Sequence, residues 1–163
     1  MTRFASLRGT KQSRQLVSWI ASSFLLAMTQ SNDKKHTMEH WQDRTRLLIG
    51  DEGIKTLKSK HVLVVGLGGV GAYAAEQLAR AGIGRMTLVD GDVVNVTNRN
   101  RQLLALESTI GRPKAEVMAE RIRDIDPEIE LTVLNQFLKD QAIIDLMAQP
   151  FDYMVDAIDT VAP

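Results

Sequence analysis

The stretch His61-Val62-Leu63-Val64-Val65-Gly66-Leu67-Gly68-Gly69-Val70-Gly71 decides how this chain folds. Four consecutive apolar residues, Val62 to Val65, run straight into a cluster of glycines. Such a run reads as a strand buried on both faces, as a parallel sheet requires. The glycines let the backbone turn sharply and approach a phosphate with no Cβ in the way. A helix begins near Val70, and its free N–H groups and positive dipole end point at that anion. A nucleotide site is therefore the first expectation.

Working outward, the spacing predicts a helix from about Val70 to Ala81 with an apolar stripe of Val70, Ala74, Leu78 and Ala81. Gly82 stands at its C-cap. Arg85 to Asp90 reads as a second strand, followed by a polar loop from Gly91 to Arg101. Pro113 is suited to open the next helix at its first position, and Ala115, Met118, Ala119, Ile122 and Ile125 recur along it until Asp126-Pro127 stops it. Glu128 to Asn135 reads as a third strand, Asp140 to Ala148 as a helix and Tyr153 to Ile158 as a last strand. Upstream, Glu39 to Ile49 reads as one helix, and Asp51 as the cap of a second that ends near Lys60.

This alternation implies an α/β fold, a Rossmann-like parallel sheet with flanking helices. The glycine-turn strand is expected between the second strand and the last. Four strands are few for that architecture, so the domain reads as truncated after the fourth, like the front half of a larger enzyme. The last strand would then form an apolar outer edge.

The chain has 163 residues, which favours one domain over two. Lys+Arg and Asp+Glu balance at 20 each, so bulk charge makes no case for nucleic acid or membrane. With no cysteine, a disulfide, a cysteine zinc site and a cysteine nucleophile are excluded from these residues. That usage fits a cytoplasmic protein. Residues 1–31 carry Arg3, Arg8, Lys11 and Arg14 with no acid, then an apolar run from Leu16 to Met28. This has the outline of a secretory signal, but no convincing cleavage site follows and the run is short for a membrane span. Residues 1–37 are read instead as a poorly ordered extension or a mis-called start, with residues 38–163 forming the domain.

Gly66, Gly68 and Gly71 fit G-x-G-x-x-G, with Asp90 about twenty residues on and placed to accept hydrogen bonds from ribose hydroxyls. Alone, these features would indicate a dinucleotide-dependent oxidoreductase. The loop after Asp90 points elsewhere. Its Asp90 and Asp92, then Asn98, Arg101 and Gln102, follow the glycines Gly66, Gly68, Gly69 and Gly71 in order. Lys114 opens the next helix, and Asp156 and Asp159 stand at the end of the fourth strand. Together these motifs resemble the ubiquitin-activating-enzyme-like adenylyltransferase superfamily. Over about residues 40–163 the chain is most similar to the bacterial tRNA threonylcarbamoyladenosine dehydratases within it. Arg44-Thr45-Arg46-Leu47-Leu48-Ile49-Gly50 and Asp156-Ala157-Ile158-Asp159 are among the phrases that carry this likeness.

The resemblance implies an enzyme that uses ATP and Mg²⁺ to activate a carboxylate, with tRNA as substrate. Arg101 and Lys114 would neutralise the phosphates, Asn98 and Gln102 would hold them, and Asp159 would hold the metal. Arg44 would reach the phosphates, often from a partner subunit, which implies a homodimer. Fixed cations and backbone donors are what such a reaction needs, because negative charge concentrates on phosphate oxygens. Blander readings stand beside these. Lys114 could simply face water, Asp92 is equally a loop cap, and Arg44 and Arg46 resemble ordinary solvated charges. His36, His40 and His61 lack metal-ligand spacing. Two alternatives share the ATP residues: adenylation of a ubiquitin-like sulfur-carrier protein, and an inactive nucleotide-binding fragment.

Overall fold

The computed structural model describes residues 40–138 and 140–158. The extension expected over residues 1–37 and the metal ligand expected at Asp159 lie outside the described residues. Helix α1 (Asp43–Lys58) leads into strand β1 (His61–Val65), helix α2 (Gly71–Ala81) and strand β2 (Arg85–Val89). A long loop with two short 3-10 turns, Val96–Asn98 and Glu107–Thr109, precedes helix α3 (Lys114–Ile125). Strand β3 (Glu130–Leu134), helix α4 (Asp140–Met147) and strand β4 (Tyr153–Asp156) complete the order.

The four strands are parallel, in the order β3-β2-β1-β4, which is the expected placement of the glycine-turn strand. The chain winds outward from β1 through β2 to β3, then returns to the other side of β1. A crevice opens at such a reversal, beyond the carboxyl ends of the strands. Among the described residues β4 pairs only with β1 and forms an edge.

β1 is buried on both faces because helices cover both. Val62 and Val64 point into a core with Ala72, Ala75, Ala79, Met118, Ala119 and Ile122 of α2 and α3. Leu63 and Val65 point the other way, against Leu146 of α4, Phe151 and Val89. At roughly 25 cal/mol per Å² of apolar surface, the double burial of β1 makes it the main anchor of the sheet.

The structure corrects several local expectations. The buried stripe of α2 is Ala72, Ala75 and Ala79, one residue out of phase with the predicted set, and Val70 is 54% exposed. The reason is steric. A helix that must lie close to a sheet presents its alanines, while the bulkier Leu78 packs only at the flank. The upstream helix begins at Asp43, later than expected, but the expected division into two holds, since it breaks at Gly50, whose φ is 70°. Pro113 precedes α3 in an extended conformation, so Lys114 opens the helix. β4 ends at Asp156, two residues early, where the chain bends across the glycine turn. The helix end at Gly82 is as expected, with φ 96°.

Candidate functional site

The site is assembled from the carboxyl ends of the strands. Gly66 leaves β1 at φ +86°, and a Cβ there would lie 2.8 Å from the Ala157 carbonyl oxygen. Gly71 is tighter still, since a Cβ would lie 1.7 Å from the Gly66 carbonyl oxygen. These two glycines are demanded by the protein's own backbone. Gly68 and Gly69 are different. A Cβ at either would meet nothing nearer than 3.6 Å, and neither has a positive φ. Both line a cleft of about 410 Å³. The free space beside them suits a ligand that approaches the backbone closely. No side chain caps the start of α2, where the Ala72 N–H donates weakly to the Gly68 carbonyl at 3.4 Å, so an anion there would draw on the neighbouring N–H groups.

Asp90 follows β2 directly and is buried. Its Oδ2 accepts the Leu67 N–H at 2.6 Å and its Oδ1 accepts the Asp92 N–H at 2.8 Å. It therefore ties the glycine turn to the following loop, with lone pairs left on both oxygens. Asn95 and Asn98 cap one another's backbone. Asn95 Oδ1 accepts from Thr97 N, and Asn98 Oδ1 accepts from Asn95 N at 2.9 Å. The amide N–H groups of Asn98 are left as donors. Backbone bonds from Arg101 and Gln102 to the Asn98 carbonyl wind the next turn and set both side chains on the cleft wall. Arg101 Nη1 is braced by the Thr97 carbonyl at 3.1 Å and by Asn100 Oδ1 at 3.0 Å.

Lys114 enters from the opposite wall. It is 5% exposed, which replaces the solvated lysine of the blander reading. Its Nζ donates to Asp92 Oδ2 at 2.8 Å, and its backbone N–H to the Asp92 carbonyl at 3.0 Å. A buried ammonium of this kind requires an anion beside it.

Gly66, Gly68, Gly69, Asp90, Asp92, Asn98, Arg101, Gln102 and Lys114 thus line one cleft. Gly71 lies beneath it as a packing residue, and Arg44 lies on α1, away from the lining. The Asp156 carboxylate turns back to accept the Ile158 N–H at 3.2 Å. Among the described residues no group of three or more His, Cys, Asp or Glu could hold a metal. Sequence reasoning missed Gln136, Phe137 and Leu138, which follow β3 and form a further wall, and Ala157 and Ile158. Phe137 is 64% exposed beside Gly91. Its position directly after a parallel strand was the available signal, since those loops border the crevice.

A parallel sheet whose winding reverses beside a glycine turn, with an arginine, a lysine and two amides lining the cleft at that turn, defines a Rossmann-like α/β domain with a cation-lined cleft. The chain belongs to the ThiF family, whose model matches residues 42–163. It is 49% identical over 124 residues to a tRNA threonylcarbamoyladenosine dehydratase of Bacillus subtilis (strain 168), covering 76% of this chain and 49% of the relative. It is 48% identical over 126 residues to the Escherichia coli (strain K12) protein of the same name, covering 76% and 47%. The solved structure of E. coli tRNA N6-threonylcarbamoyladenosine dehydratase, TcdA, in complex with ATP superposes with a TM-score of 0.72 at 46% identity, covering 78% of this chain and 54% of that one. The chain spans about half the length of the curated relatives it matches.

Proposed function

We propose that this chain carries the ATP-binding half of a tRNA threonylcarbamoyladenosine dehydratase. The reaction is ATP-dependent activation of the threonylcarbamoyl carboxylate on modified adenosine 37 of tRNA. The carboxylate displaces pyrophosphate from ATP to form an acyl adenylate, and an internal nitrogen or oxygen of the same modification then attacks that carbonyl, closes a ring and expels AMP, with net loss of water from the modification. The observation that carries this reading is the meeting of Arg101, Asn98, Gln102 and Lys114 over the unobstructed Gly68-Gly69 backbone. The likeness to dehydratases at 48–49% identity supports the substrate.

In this mechanism the glycine turn and the start of α2 receive phosphate oxygens through backbone N–H groups. Arg101 and Lys114 supply fixed positive charge where negative charge builds up in the transition state. Asn98 and Gln102 orient the chain of phosphates through neutral hydrogen bonds. Asp90 keeps the turn in register and offers its remaining lone pairs to ribose hydroxyls. Ring closure within the substrate needs no enzyme nucleophile. Mg²⁺ would add charge neutralisation, bound through one or two carboxylates and phosphate oxygens. Asp159 is the proposed protein ligand. Arg44, on α1, would act across a homodimer. Leu47 and Leu48 beside it are exposed apolar residues at 63% and 53%, which supports burial of this helix against a second copy. A cytoplasmic location follows from a tRNA substrate, and no helix among the described residues is long and apolar enough to cross a membrane.

Incubation with threonylcarbamoyladenosine-containing tRNA, ATP and Mg²⁺ should give a nucleoside lighter by one water in mass spectrometry. If the nucleoside is unchanged and ATP–pyrophosphate exchange appears only with a ubiquitin-like sulfur carrier, the carrier-adenylating alternative replaces this reading.

A further inference from the structure

The side-chain pair between Lys114 and Asp92 is lopsided. Lys114 has 6% of its side chain exposed, whereas Asp92 has 54%. The ammonium is fixed in the cleft wall, and the carboxylate sits on the solvent side, where rotation into water costs it little. The reverse does not hold, because the ammonium cannot be left in the wall without an anion. The backbone already joins the two segments without the side chains. Lys114 N–H bonds the Asp92 carbonyl, Val94 N–H bonds the Arg112 carbonyl, and Val93 bridges Pro113. The carboxylate of Asp92 is therefore not needed to bring Lys114 to the cleft. Its bond is to the same ammonium that a phosphate chain would use.

We infer that Asp92 is an intramolecular competitor for Lys114, exchanged only for another anion, and so tempers the affinity of the cleft for a polyphosphate chain. This rests on reading the cleft as a nucleotide site. A phosphate chain takes over the ammonium and the carboxylate turns to water. A neutral nucleoside offers no anion and leaves the pair closed. Asp92 thereby lowers affinity for ATP yet has no effect on adenosine. This role differs from the direct nucleotide contact that its position in the D-x-D motif suggests.

The test is calorimetric titration of the chain with ATP, tripolyphosphate and adenosine, all with chelator present so that no divalent cation bridges a carboxylate to phosphate. Asp92→Asn should bind ATP and tripolyphosphate roughly twofold to fivefold more tightly than the parent, with adenosine unchanged. Asp92→Glu, which keeps the charge, should stay near the parent. In a Lys114→Met background the gain from Asp92→Asn should disappear, which separates competition for Lys114 from general repulsion of phosphate. Asp92→Ser guards against a fault peculiar to asparagine. Weaker or equal polyphosphate binding in both Asp92→Asn and Asp92→Ser overturns the inference, as does a gain that persists without Lys114. Failure of the parent chain to bind ATP defeats the nucleotide reading itself.

Discussion

Gly71 and Gly68 sit three residues apart in one motif and have unrelated reasons to be glycine. At Gly71 a Cβ would collide with the Gly66 carbonyl at 1.7 Å, whereas at Gly68 the nearest atom would be 3.6 Å away. Gly71→Ala should therefore damage the fold, lowering stability by about 1–3 kcal/mol as overpacking typically does. Gly68→Ala should leave the urea midpoint close to the parent while weakening ATP. Equal loss of stability in the two variants would remove the distinction. His61 offers a second contrast. Burial, aided by the charge of Arg85, pushes its pKa below the usual 6.5, and the ring meets Thr87 Oγ1 at 2.9 Å and the edge of Phe151. The unfolded chain therefore takes up this proton at higher pH than the folded one. Stability from the neutral ring is complete above about pH 6.5 and falls as the pH drops below it. Urea midpoints at pH 7.5 and 5.5 should differ less in His61→Gln than in the parent.

Helices α2 and α3 both begin at the cleft, and their spacing sets how far Lys114 stands from the glycine turn. Glu76 of α2 binds them together through Arg121 Nε of α3 at 2.5 Å, and is itself held within α2 by Arg80 Nε at 2.9 Å. Burial pushes the Glu76 carboxyl up, but the hydrogen bonds from the two arginines outweigh it and hold the pKa below its usual value. A depressed carboxyl pKa contributes stability that is present above the unfolded value near 4.5 and is lost as the pH falls through the folded one. Glu76→Gln should unfold more easily at pH 7 than the parent, and the deficit should shrink toward pH 3.5. A deficit independent of pH would mean that packing alone, and not the charge, joins the helices.

Seen as one body, the molecule is a sheet covered on both faces, whose cleft depends on every loop at its carboxyl end. Ligand binding there must stabilise the whole fold, since the unfolded chain has no such cleft. ATP at a hundredfold excess over its Kd should add about 2.7 kcal/mol. For a domain of this size that corresponds to a rise in Tm of roughly 5–10 °C. Thermal scans with ATP and Mg²⁺ should show the rise in the parent and much less of it in Lys114→Met. No rise at saturating ATP would count against the cleft as the nucleotide site.

Much of this was legible from residue order alone. Periodicity of two-sided burial in Val62 to Val65, the alternation of strands and helices, and the stops at Gly82 and Asp126-Pro127 are local signals, so they determined the elements and the sheet order. The motif residues from Gly66 to Lys114 could be picked out because their types and order resemble the adenylyltransferase signature. Tertiary structure alone decided the rest. The alanine face of α2 was chosen by how closely the helix must approach the sheet, which no single segment encodes. The burial of Lys114, its pairing with Asp92 and the wall formed by Phe137 depend on segments twenty or more residues apart, brought together only when the sheet closes. Hydrophobic period is a property of one element, whereas the company of a charge is set by whatever the fold lays beside it.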